Sequence, residues 1–166
     1  MLGTKVFTNC SSVESVSIPF VGKERDGTSN THFGYMFGCS SYSDQSNPNY
    51  VPSSLKKIIV RDPIKHIDDY AFKGIDVTNI TLPEGVESIG AGAFSNLSRL
   101  TNISIPSSLK KIGSGAFGSS SSITYNVVDN LKYLGNNDNP CVLLCGANSS
   151  NITSATIQDG CKVIGY

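Results

Sequence analysis

The chain has 166 residues, with 13 Lys plus Arg against 13 Asp plus Glu, so no global field draws it to nucleic acid or to an anionic membrane. Only 16% of its residues are charged, which leaves a polar but weakly charged surface that suits an extracellular protein as well as a cytosolic one. No run approaches the roughly 18 apolar residues of a membrane-spanning helix, and the five scattered Cys do not form a disulfide framework.

Residues 1–5 carry no signal-peptide pattern. Residues 2–19 match residues 89–106 without a gap: Phe7 takes the place of Phe94, Asn9 that of Asn96, Val13 that of Leu100 and Pro19 that of Pro106. The chain thus opens in mid-unit. In this register Cys10 stands where Leu97 does, and reads as a small buried apolar residue.

From 20 to 54 the period is interrupted by an irregular insertion. It contains a charged turn around Glu24-Arg25-Asp26-Gly27, an aromatic stretch Phe33-Gly34-Tyr35-Met36-Phe37, and a loop rich in Ser, Asn and Pro. Insertions of this kind map to loops on one side of a stacked repeat.

The period returns at residue 55. A shift of 45 residues pairs Leu55 with Leu100, Ile58 with Ile103, Val60 with Ile105 and Phe72 with Phe117. The identical heptapeptides beginning at Pro52 and Pro106 therefore lie in different phases, and Lys56-Lys57 does not stack on Lys110-Lys111. The clearest copy follows: residues 82–94 return as 105–117, offset by 23, with Pro on Pro and Ile-Gly-x-Gly-Ala-Phe on itself. A fixed period of roughly 20–29 residues marks a solenoid, whose units bury their apolar faces on one another.

Residues 55–60, 77–82 and 100–105 read as strands, with alternation that turns Ile80 and Leu82 inward and Thr81 outward. Residues 123–128 hold the next strand position, but Asn126 sits where Ile belongs. The segment 129–147 reads as a hairpin insertion, Leu131-Lys132-Tyr133-Leu134 returning through Gly135 to Pro140 into Cys141-Val142-Leu143-Leu144-Cys145, with Cys141 and Cys145 on one face. The period resumes with a strand at 152–157, expected to follow the first three as their parallel neighbour. Gly3, Gly90, Gly113 and Gly165 share one position, occupied by Asp68 in another unit, where a left-handed or crowded backbone is expected.

Strand-like L-x-x-I-x-I-P followed by x-x-L-x-x-I-G-x-x-A-F and N-C-S-S resembles the BspA-like class of leucine-rich repeat. The resemblance covers residues 2–19, 55–123 and 152–165, and the insertion and hairpin poorly. It implies a mostly β leucine-rich-repeat solenoid with short parallel strands in units of 22–23 residues. It also implies secreted or cell-surface localisation, adhesion or binding to a protein or host-surface ligand, and no catalytic residues. The whole chain, 1–166, reads as one solenoid taken from a longer array. Phe7, Phe72, Phe94 and Phe117 are expected to form an aromatic column.

No nucleophile elbow, phosphate loop or dinucleotide fingerprint is present, so the chain reads as non-catalytic, with no cofactor and no metal. His66 aligns with Ser88 and Lys111 and reads as a solvated surface residue; His32 has no partner at metal spacing. Candidate partner-binding residues are Tyr35 and Tyr42 in the insertion, and Thr81, Asn102 and Ser104 on the strand face. The insertion is expected to supply the anchor, because the strand face holds only short side chains. The rival reading is a passive spacer whose array binds elsewhere; a weaker one gives the insertion a glycan-binding or hydrolytic role. An exposed insertion favours recognition, and a packed one favours the spacer.

Overall fold

The computed structural model describes residues 1–165. In chain order the strands are β1 (Ser15–Ile18), β2 (Lys57–Val60), β3 (His66–Ile67), β4 (Asn79–Thr81), β5 (Ser88–Ile89), β6 (Asn102–Ser104) and β7 (Lys111–Ile112). They are followed by β8 (Asn126–Val128), β9 (Leu131–Leu134), β10 (Leu143–Ala147) and β11 (Val163–Ile164). The fold is a mostly β solenoid of stacked coils.

Three successive coils each contribute one strand to each of two parallel sheets, and the β1 coil contributes to the first sheet alone. The first runs β1-β2-β4-β6 and the second β3-β5-β7. In the first sheet Val16, Ile58, Ile80 and Ile103 stack in register and are buried, because alternate residues of a strand point to opposite faces. The ladder continues around the turns: Phe72 N donates to Ala93 O at 2.8 Å and Phe94 N to Ala116 O at 2.8 Å. Hydroxyls add further ties between coils. Ser120, buried, donates to Phe94 O at 2.7 Å and accepts from Leu97 N at 3.0 Å, and Ser108 bridges Val86 O and Gly85 N in the same way. The abundance of Ser thus has a structural use, satisfying turn backbone that stacking would otherwise strand without water.

The aromatic column is longer than expected. Its ring-to-ring spacings are 5.3 Å for Phe7–Phe37, 5.5 Å for Phe37–Phe33 and 5.7 Å for Phe33–Phe72. Phe72–Phe94 and Phe94–Phe117 follow at 5.2 and 5.4 Å. The insertion supplies the two additional rings from the 3-10 helix Phe33–Phe37, which bonds backbone to both neighbours: Phe33 N to Ala71 O at 2.8 Å, and Phe7 N to Met36 O at 3.1 Å. The insertion therefore includes a substitute coil that keeps the stack continuous.

Two expectations are corrected. Residues 152–157 form no strand, and Ile157 is half exposed. The parallel sheet ends at β6 because Asn126 lacks the apolar side chain needed inside and bonds Pro140 O instead at 3.0 Å. The chain then turns into β8, β9 and β10, joined antiparallel, and β11 rejoins β10 in parallel. The hairpin at 129–147 is thus part of a four-stranded sheet. Cys141 precedes β10 and packs with Leu131, Tyr133 and Leu144, whereas Cys145 packs on the main core; the two do not share a face.

At Gly90 and Gly113 the reason for glycine is crowding, not a left-handed backbone. A Cβ on Gly113 would run into Ala91 N and Gly90 C of the coil before it. The left-handed column lies two residues on, at Lys5, Tyr70, Gly92 and Gly115, with φ between 58° and 62°.

Candidate functional site: the strand-face groove

The outward face of the first sheet carries two rows. Ser15, Lys57, Asn79 and Asn102 pair across the ladder, and beside them Ser17, Ile59, Thr81 and Ser104. Parallel in-register strands place like positions about 4.8 Å apart, so the amides of Asn79 and Asn102 form a short polar ladder. Asn79 is oriented by Thr78, whose Oγ1 lies 2.8 Å from Asn79 Oδ1 and 3.0 Å from Lys56 O. Among the described residues, the side chains of Thr81, Asn102 and Ser104 have no hydrogen-bond partner, so their donors and acceptors remain free for a ligand.

This face becomes a groove because the 135–139 turn closes its far edge. Ile105 N donates to Gly135 O at 2.8 Å. Asn136 then pins the turn: its Nδ2 reaches Ile105 O at 3.1 Å, Ser107 Oγ at 3.1 Å and Glu84 Oε1 at 3.2 Å. Its Oδ1 accepts from Asp138 N at 3.0 Å and Asn139 N at 2.8 Å. The resulting groove has a volume of about 480 Å³, with Asn79, Thr81, Asn102 and Ser104 as floor and Asn136–Asp138 as wall. Lys57 stands at one end, with Glu84 and Asp138 contributing negative charge.

Three of the sequence candidates, Thr81, Asn102 and Ser104, therefore line one groove. Tyr35 and Tyr42 do not line it. Tyr35 is half-buried, edge-on to His32 at 6.4 Å. Tyr42 is 38% exposed and stacks on Tyr70 at 4.7 Å, with Lys73 Nζ 5.2 Å from both rings. The rest of the aromatic stretch, Phe33, Met36 and Phe37, is buried. Asn136, Asp138, Lys57 and Glu84 were not legible as site residues, since only the chain reversal at Asn126 brings the turn onto the strand face.

His66 lies at the surface with Nδ1 2.6 Å from Ser88 Oγ, whereas His32 is buried with Nε2 3.3 Å from Cys39 O. Burial pushes the His32 pKa down and the Cys39 thiol up to about 11. Lys56 pairs with Glu14 at 3.0 Å and Lys110 with Glu87 at 2.9 Å, each across neighbouring coils. Among the described residues, no group of three or more His, Cys, Asp or Glu is placed to hold a metal ion, and no helix is long and apolar enough to cross a membrane.

Stacked coils of about 23 residues, with parallel strands lining one face, define the leucine-rich-repeat class. Residues 46–166 match the model for the BspA type leucine rich repeat region, in 6 copies, and the chain belongs to that family. Among curated proteins and among solved structures nothing matches the chain.

Proposed function

We propose that the chain is a non-catalytic recognition module of a secreted or cell-surface protein, binding an extended protein or host-surface ligand along the strand-face groove. The observation that carries this reading is the pinned Asn136–Asp138 wall beside Thr81, Asn102 and Ser104, whose side chains have no internal partner. Short amides and hydroxyls suit main-chain or sugar-like polar groups, with each hydrogen bond contributing only about 0.5–1.5 kcal/mol net. Affinity would come from repetition along the groove. Formal charge neutrality argues against nucleic acid as the partner.

The packing of Phe33, Met36 and Phe37 favours a second reading, a spacer segment with binding elsewhere in the array. Peptides selected from a random linear display library on the immobilised chain separate the two. Titration of the selected peptides against Thr81→Ala plus Ser104→Ala should show about tenfold weaker binding, on the order of 1.4 kcal/mol, while Tyr35→Ala plus Tyr42→Ala stays near wild type. A larger loss in the tyrosine pair would move recognition to the insertion. No selectable peptide would favour the spacer.

A further inference from the structure

In the second sheet every strand after the first receives its neighbour in the same way. Ser88 N donates to Lys65 O at 3.1 Å and Lys111 N to Glu87 O at 3.1 Å. The flanking groups follow: Glu87 N and Lys110 N donate to the same two carbonyls at 2.8 Å, and Gly90 N and Gly113 N donate to Ile67 O and Ile89 O. Lys65, His66 and Asp68 are the counterparts of Glu87, Ser88 and Gly90 one coil earlier. Among the described residues, their backbone N–H groups have no acceptor. The insertion passes alongside without pairing: Arg25 bonds Pro63 O at 2.7 Å and the Asp62 carboxylate, and leaves β3 uncovered. The parallel ladder that points the N–H and C=O of Ser88 at β3 also points those of His66 away from β5, toward the open side.

That side has room. A cleft of about 170 Å³ lies between β3 and the insertion, lined by Phe20 and Ile64, the Phe20 ring carrying the Arg25 guanidinium at 5.5 Å, and by Glu24, Asp26 and Asp68. A second, of about 370 Å³, continues past Thr31 and Asp69. The His66 ring does not block the edge, because its hydrogen bond to Ser88 draws it over β5. The two linings hold four carboxylates: Glu24 pairs with Lys23 at 3.6 Å and Asp69 accepts from Ala91 N at 2.6 Å, whereas among the described residues the Asp26 and Asp68 carboxylates have neither an ion-pair partner nor a hydrogen-bond donor.

We infer that the outer edge of β3 is a docking edge for an extended peptide segment bearing Lys or Arg, which adds as a further strand to β3-β5-β7. Main-chain bonds to Lys65, His66 and Asp68 supply the register, and the carboxylates select for positive side chains. The site shares no residue with the strand-face groove, so its failure leaves that reading intact.

The test uses a capped hexapeptide of alternating Lys and Val, titrated into the ¹⁵N-labelled chain. Saturable shifts should concentrate at the amides of Lys65, His66 and Asp68, whose solvent exchange is fast in the free protein and slows on binding. The same peptide with Glu for Lys should produce none, and N-methylation of its backbone or Asp26→Asn plus Asp68→Asn should weaken binding about tenfold. His66→Pro removes the central N–H without touching the β5 ladder, and should abolish the shifts while the Asn79 and Asn102 amides keep their positions. The inference is overturned by shifts at Asn79 and Asn102 instead, by equal binding of the Glu peptide, or by no saturable shift up to about 5 mM. It is also overturned if the three amides exchange as slowly as that of Ser88 before peptide is added, since the edge would then already be paired, by this chain or by a second copy seen as a dimer in sedimentation.

Discussion

The rings of Phe72 and Phe94 lie 5.2 Å apart and within 10° of parallel, one on each of two successive coils. Both are fully buried, and their backbones are coupled by the Phe72 N to Ala93 O bond. The stack is therefore held by side-chain packing and main-chain pairing at the same points, so removing one ring disturbs two coils together.

Phe94 has a neighbour on each side of the column, with Phe117 at 5.4 Å. Phe94→Ala should lower stability by about 3–5 kcal/mol through the cavity it leaves. Urea unfolding followed by far-UV circular dichroism measures this. A loss below ~1 kcal/mol would show that the column is not continuous at this ring.

Gly113 and Gly115 should respond differently to the same change. Gly113→Ala drives a methyl into Ala91 backbone, and should cost about 3 kcal/mol, the upper end of overpacking penalties. Gly115 has φ +60° but open space around it, so Gly115→Ala pays only for the left-handed backbone, about 1 kcal/mol. Equal midpoint shifts in thermal unfolding would show that crowding is not what selects glycine at position 113.

His32 gives a pH dependence with a defined sign. Burial disfavours its charged form, so its pKa in the folded chain lies below the ordinary 6.5, although the Cys39 carbonyl and Asp44 partly oppose this. The unfolded chain therefore binds more protons in this range, and the stability contributed by His32 is lost as pH falls below about 6.5 through the folded value. The titration of its ring protons by NMR should show a midpoint below 6.5, and acid sensitivity should be reduced in His32→Gln. Because the ring is buried, His32→Ala should also destabilise the fold by about 1–3 kcal/mol; the sequence alone gave no reason to expect this.

Asn136 ties the turn to the strand face through its Nδ2, which donates to Ile105 O, while its Oδ1 holds the turn together by accepting from Asp138 N and Asn139 N. Asn136→Ala should cost about 1–3 kcal/mol and free the turn. The amide of Ile105, which donates to Gly135 O, should then exchange markedly faster while that of Asn102 stays protected. Unchanged exchange at Ile105 would mean that the groove wall stands without Asn136.

The sequence by itself determined the repeat. The gapless match of residues 82–94 to 105–117 and the alternation around Ile80 and Ile103 leave one way for a coil to bury its apolar side chains, because a single coil cannot offset its own ordering entropy and must stack. It also identified Thr81, Asn102 and Ser104 as outward-facing, since period 2 fixes which face each residue takes. What only the tertiary structure decided are the departures from the period. Phe33 and Phe37 join the column because a 3-10 helix happens to present two rings at the spacing of a coil. Residues 152–157 repeat the strand pattern yet lack a strand to pair with, since the reversal at Asn126 ends the parallel ladder first. The groove wall and the open edge of β3 have the same origin. Each depends on which backbone groups lie beside which after folding, a non-local property that spacing along the chain does not encode.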